Sequence, residues 1–216
     1  NIWLWVLLCV PCLLASCDHN VHDGEDEGGL SVSLTWADEA DQGTEVKDVK
    51  LWIFNANDGS LVEEKHYSSA KEVASQRFAL PEGHYQILAI TNLIEPFFTT
   101  DQTRALINWN NIQIGLTNPK DVNHNAYFGV TDVKIDNKEG NYVVQNPVKS
   151  VLAELTIIIE NVPKGTEMSG KALDAAWCLF PTQKNGDGDY GLPSIDPTEV
   201  EMPTILATES TLQSEV

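Results

Sequence analysis

Residues with intrinsic reactivity are few in this chain, and most are scattered. Cys9-x-x-Cys12 has the spacing of a dithiol redox pair. It lies inside an apolar run rather than beside a βαβ unit, so the redox reading is weaker than an incidental one. Gly186-Asp187-Gly188-Asp189-Tyr190-Gly191 fits the G-x-G-x-x-G phosphate loop. That loop needs a helix start behind it, and Leu192-Pro193 offers none, while two Asp side chains would repel phosphate. Asn185, Asp187 and Asp189 could offer oxygens to Ca²⁺. Tyr190 then occupies the EF-hand glycine position and Asp196 the closing glutamate position, so a plain polar loop is the simpler reading. The histidines His19, His22, His66, His84 and His124 form neither H-E-x-x-H nor a zinc spacing with cysteine, and no G-x-S-x-G elbow occurs. With 32 acidic residues, carboxylates will come close by chance. The sequence therefore implies no enzyme, no metal site and no cofactor. Trp109 in Asn108-Trp109-Asn110-Asn111 is the one ligand candidate, because an indole flanked by amides on a loop can stack on a sugar; a core tryptophan is the competing reading.

The chemistry with an address is at Cys17. Ile2 to Ser16 carries no formal charge and is mostly apolar. It is shorter than the ~20 apolar residues a bilayer span needs and matches the core of a secretory signal. The run closes in Leu14-Ala15-Ser16-Cys17, which resembles the bacterial lipobox, and switches at once to Asp18-His19-Asn20. The resemblance implies cleavage before Cys17 and acylation of its thiol and new amino group, which gives stable membrane anchoring. The absence of an initiator Met and a basic segment predicts a fragment at this end. After cleavage only Cys17 and Cys178 remain, so no intramolecular disulfide is expected. Cys178, inside Ala175-Ala176-Trp177-Cys178-Leu179-Phe180, reads as a small buried hydrophobe.

Charge separates the chain into three parts. The whole carries 13 Lys and Arg against 32 Asp and Glu, a net −19 over 216 residues. Residues 18–46 hold nine acids, residues 185–216 hold seven, and neither stretch has a Lys or Arg. The central part is close to balanced. This excludes nucleic acid and an anionic membrane surface as electrostatic partners. Asp23, Glu25, Asp26 and Glu27 among glycines read as a flexible, self-repelling tether. In lipoproteins of Bacteroides-like cells, acids soon after the lipidated cysteine resemble the signal for display on the outer surface. The expected place is therefore the outer membrane, lipid-anchored, at the cell surface.

The elements beyond the tether read as strands. Val32, Leu34 and Trp36 alternate with polar neighbours. Val49 to Phe54 is a second strand, and Asn57-Asp58-Gly59 favours a hairpin that returns through Leu61 to Tyr67. Gln76 to Leu80 is a short strand; Pro81-Glu82-Gly83 is a turn; His84 to Thr91 follows with Tyr85, Ile87 and Ala89 on one face. Thr100 would cap a short helix over Asp101 to Asn108. Ile112 to Leu116, Ala126 to Ile135 and Tyr142 to Gln145 supply further strands, and the whole reads as an antiparallel sandwich. Asn146-Pro147 marks a boundary. Val151 to Glu160 reads as the first strand of a second unit, with a helix over Val148 to Leu155 as the alternative. Ala175 to Phe180 is its next strand, and Ile205 to Ala207 begins another. These are too few for a sandwich of about seven strands, so the second unit is expected to be truncated or to borrow strands. The divisions are thus 1–16 signal, 17–29 tether, 30–146 first sandwich and 147–216 partial second sandwich.

One order of motifs adds a family. The lipobox start is followed by Val49-Lys50-Leu51-Trp52-Ile53-Phe54, the Asn-Asp-Gly turn, and then Leu80-Pro81-Glu82-Gly83-His84-Tyr85-Gln86-Ile87-Leu88-Ala89-Ile90-Thr91-Asn92. Over about residues 17–160 this resembles the fimbrillin-type proteins of type V pili, above all their anchor and minor-subunit lipoproteins. The resemblance implies tandem transthyretin-like β-sandwich domains, the second incomplete here. It implies assembly with other pilus subunits by strand addition, and membrane attachment through lipid at Cys17. Stalk subunits of the best-known system resemble precursors cut after an early arginine. The first arginine here is Arg77, beside an expected core strand, which favours an uncleaved, anchor-like role. A surface lipoprotein that binds a glycan or host-surface ligand is the alternative.

Overall fold

The computed structural model describes residues 28–99, 107–117, 124–153, 156–194, 197–201, 205–206 and 211–215. The chain is nearly all β, as the alternating pattern requires. A six-stranded sheet is built from β1 (Gly29–Trp36), β2 (Val49–Asn55), β3 (Leu61–Tyr67), β4 (Gly83–Thr91), β7 (Tyr127–Ile135) and β8 (Asn141–Ser150), in the order β1-β8-β7-β4-β2-β3. A four-stranded sheet, β13-β12-β6-β5, is made from β5 (Phe97–Thr99), β6 (Ile114–Leu116), β12 (Cys178–Lys184) and β13 (Tyr190–Pro193). Three two-stranded ladders join β9 (Thr156–Glu160) to β16 (Thr211–Glu215), β10 (Glu167–Met168) to β15 (Ile205–Leu206), and β11 (Lys171–Ala176) to β14 (Pro197–Glu201).

The inner strands β2 and β4 of the large sheet are buried on both faces. In β2, Val49, Leu51 and Ile53 enter one core while Trp52 and Phe54 enter another. In β4, Tyr85, Ile87 and Ala89 face the first core and Leu88 and Ile90 the second. Double burial explains why these strands are almost continuously apolar rather than alternating. The first core is closed by Leu30 and Val32 of β1, by Phe78 and Leu80, and by Val73 of the short helix α1 (Ala70–Ser75). The second is closed by Phe97, Trp109, Ile112 and Ile114 beneath the small sheet.

Several local expectations hold. The β2–β3 hairpin turns at Gly59, whose φ is +71°, and Asp58 accepts from the Ser60 amide at 2.9 Å. The Tyr85 hydroxyl donates to the Pro81 carbonyl at 2.9 Å, tying the Pro81-Glu82-Gly83 turn to β4. Others differ. The sheet is not wholly antiparallel: β1 pairs with β8 in parallel, Gly29 opposite Asn141 through Trp36 opposite Val148. Residues 76–80 form no strand, only an isolated bridge between Leu30 and Phe78. Val148 to Ser150, the start of the alternative helix, belongs to β8, and Asn146-Pro147 also lies within that strand. Ala175 to Phe180 is divided between β11 and β12 at Trp177. Strands β12 and β13 complete the sheet begun by β5 and β6, so one sheet draws on both expected units. The helix expected over 101–108 falls largely on residues outside those described.

Helix α1 begins at a side-chain cap, Ser69. Ser69 accepts from the Glu72 amide at 3.3 Å, and Glu72 accepts from the Ser68 amide at 2.7 Å. The S-x-x-E spacing is that of a capping box, with the Glu72 carboxylate here on the amide one residue before the cap. Ser69→Ala should lower stability by about 0.5–1 kcal/mol, read as a shift in urea midpoint. The Ser68 amide also holds the Glu72 carboxyl below its ordinary pKa. A lowered folded-state pKa means that this contact is fully formed at neutral pH and is lost as pH falls below the ordinary glutamate range. Hydrogen exchange at the Ser68 amide should therefore accelerate, beyond the intrinsic trend, as the solution is acidified.

Candidate functional site

Cys17, the residues Leu14, Ala15 and Ser16 before it, and the acids Asp23, Glu25, Asp26 and Glu27 all lie outside the described residues. What the structure shows is the body that such a tether would hold, and its distinctive surface is a sheet edge. Both the N–H and the C=O of Leu30 bond to Phe78, on the side away from β8. In a parallel strand the direction alternates by residue, so Leu34 and Trp36 also present their main-chain groups outward. Ala37, of opposite parity, donates to the Val148 carbonyl on β8 at 2.8 Å, which fixes the alternation. Beyond Phe78 the outward groups of Leu34 and Trp36 meet no strand among the described residues. Beside them lies a cavity of about 310 Å³, lined by Leu34, Trp36, Val46, Ala70 and Lys71 among others. Helix α1 packs on β1 and closes the first core at this seam, and its Ala70 and Lys71 form part of the cavity wall.

The two-stranded ladders also carry exposed apolar side chains. Ile158 on β9 and Leu173 on β11 are 57% and 64% exposed, on ladders of only two strands. Two-stranded ladders are marginal without a further layer.

Trp109 is only 8% exposed. Its ring meets Phe54 edge-on at 5.5 Å and Tyr190 edge-on at 6.0 Å, so the second core occupies its faces. Its carbonyl accepts from the Thr182 hydroxyl, and its amide donates to Gly59 at 2.9 Å. The loop at 185–189 is the tight turn between β12 and β13. Asn185 Oδ1 accepts from the amides of Asp187 and Asp189, each at 3.0 Å, so this oxygen shapes the turn. Cys178 is buried and free, and desolvation pushes its thiol pKa up, away from thiolate chemistry. The described histidines are dispersed. His66 meets Asp48, His124 lies by the Ile94 carbonyl, and His84 is exposed.

The architecture is an edge-rich β fold with two cores. The sequence model of the fimbrillin-A associated anchor proteins Mfa1 and Mfa2 matches residues 17–200. The chain belongs to that family, which is one of fimbrial anchor proteins rather than enzymes and places it at the cell envelope. Solved structures share the fold at low identity. The fimbrial anchor protein Mfa2 from Porphyromonas gingivalis aligns with TM-score 0.64 and 14% identity, over 87% of this chain and 71% of its own. A putative polysaccharide-binding protein from Bacteroides thetaiotaomicron aligns with TM-score 0.60 and 12% identity, over 88% and 71%. A putative adhesin from Bacteroides ovatus aligns with TM-score 0.58 and 16% identity, over 87% of this chain and 65% of its own. The comparison with curated proteins gave no match.

Proposed function

We propose that this chain is a lipid-anchored outer-membrane protein, displayed at the cell surface, that serves as a fimbrial anchor or minor subunit. Lipid at Cys17 fixes it, Asp23 to Glu27 act as export signal and tether, and units 30–146 and 147–216 stand clear of the membrane. Another pilus subunit adds a strand to an open sheet edge, with main-chain hydrogen bonds supplying affinity and the adjoining cavity selecting a side chain. Family membership supports the fimbrial role. The observation that supports the strand-addition step is the outward backbone of Leu34 and Trp36, which meets no strand among the described residues, beside the cavity. The test is Cys17→Ala in cells fed a labelled fatty acid. The substituted protein should lose the label, and both it and its fimbriae should appear in the medium. Label and fimbriae retained on the envelope would overturn the anchoring role.

A further inference from the structure

Among the described residues, three steps place Asn or Asp directly before Gly: Asp58-Gly59, Asn185-Gly186 and Asp187-Gly188. At such a step the glycine amide nitrogen can attack the preceding side-chain carbonyl carbon, because glycine has no Cβ to block the approach. The turns treat the three amides differently. The Gly59 amide donates to the Asn55 carbonyl at 2.8 Å, and the Gly188 amide donates to the Asn185 carbonyl at 3.1 Å. The Gly186 amide has no hydrogen-bond partner among the described residues, and Gly186 is exposed. Of the three side chains before glycine, only Asn185 is a neutral carboxamide, a far better electrophile than an ionised carboxylate. Its Oδ1 accepts from the amides of Asp187 and Asp189, each at 3.0 Å. These two donors sit on the oxygen that turns negative when Cγ is attacked, as in an oxyanion hole.

We propose that Asn185 is a site of spontaneous covalent modification by deamidation, with water as the only co-reactant. Hydroxide removes the Gly186 amide proton, and that nitrogen forms a bond to Asn185 Cγ. The Cγ–Nδ2 bond then breaks, and Nδ2 leaves as ammonia with a proton from water. One water molecule opens the resulting succinimide ring at either carbonyl. Opening at Cγ gives aspartate at position 185; opening at the main-chain carbonyl gives isoaspartate, with the chain running through Cβ. The net change is hydrolysis of an amide to an acid and ammonia. The two products differ in what they do to the turn. Aspartate keeps an oxygen for the amides of Asp187 and Asp189, so the turn stands with one more negative charge. Isoaspartate adds a backbone atom and takes the carbonyl that holds the Gly188 amide out of the main chain. That disturbs the adjoining Lys184–Tyr190 pair between β12 and β13, and Tyr190 is the residue that meets Trp109 edge-on. Isoaspartate therefore loosens the small sheet where it covers the second core.

The test is to age the whole folded protein in heavy-oxygen water at neutral and mildly alkaline pH. Peptide mass spectrometry, with fragmentation that separates aspartate from isoaspartate, then reads each site. Position 185 should take up heavy oxygen faster than any other described asparagine, at a rate that rises with hydroxide. Gly186→Ala should slow it about tenfold or more, because a methyl beside the nitrogen hinders ring closure. Nothing lies within 4 Å of a Cβ at 186, so this variant keeps the fold. Asp187→Asn places a second Asn-Gly step in front of the bonded Gly188 amide. That site should react about tenfold more slowly than position 185, the cost of first breaking one hydrogen bond. The gap should close when the same variant is aged in urea. An Asn185 that stays unmodified in the folded protein, a rate unchanged in Gly186→Ala, or a site at 187 as fast as 185 would overturn the proposal.

Discussion

Gly129→Ala should lower stability by about 3 kcal/mol, near the upper end for overpacking a well-filled interior. A Cβ on Gly129 would lie 2.0 Å from Asn146 Oδ1 and 2.6 Å from the Pro147 carbonyl oxygen. One of those atoms is backbone, so no rotamer change relieves the contact. This is where β8 passes from β7 to β1. Asn146 is fully buried there, with its amide nitrogen 3.5 Å from the Ile87 carbonyl, and the Thr131 hydroxyl donates to the Gln145 carbonyl at 3.1 Å. A methyl at 129 must push β8 off β7 and so disturb β1, which closes the first core. The expected signature is a lower urea midpoint together with faster amide exchange along β1 and β8. Gly186→Ala is the control, since nothing lies within 4 Å of a Cβ there and its φ is not in the left-handed region. A Gly129→Ala midpoint equal to that of Gly186→Ala would show that β7 and β8 are not in close contact. Adding Asn146→Ser to Gly129→Ala should recover part of the loss, because it removes one of the two colliding atoms.

Trp109→Ala should cost about 3–5 kcal/mol, the range for truncating a buried aromatic. The ring sits between Phe54 on β2 and Tyr190 on β13. Its loss would remove contacts that tie the large sheet to the small one, so Tyr190 should gain mobility by NMR while the β2–β3 hairpin persists. Trp109→Phe should cost less, since it keeps an edge for both neighbours. A surface stacking platform would behave otherwise: its alanine variant would keep full stability and lose only sugar affinity. Urea unfolding of the two variants separates these cases.

Much of the candidate anchor chemistry is legible in sequence because it is local. A lipobox is four consecutive residues after an apolar run, and a tether is a run of acids and glycines. Neither requires a fold to be recognised. The hairpin at Asp58-Gly59 and the turn at Pro81-Glu82-Gly83 are equally local, since the residues that take those dihedrals are the ones the turn demands. The open edge of β1 was not legible. Its character depends on which residue parity faces β8 and on where Phe78 stops, and both are set by a pairing more than a hundred positions away along the chain. The capping box at Ser69 was readable from its spacing, but the six-residue helix behind it has too little periodicity to draw attention.

By itself, then, the sequence determined the all-β class, the principal turns and the family resemblance, and it is the source of the proposal of lipid at Cys17. Each is encoded in side-chain period, turn dihedrals or a contiguous motif. Tertiary structure alone decided that β8 would leave β7 to pair in parallel with β1, that Trp109 would be core, and that β12 and β13 would complete a sheet begun by β5 and β6. Those outcomes depend on burying both faces of β2 and β4 at once. A strand with two apolar faces needs two covering layers, and the layers come from whichever segments can reach, not from the nearest in sequence.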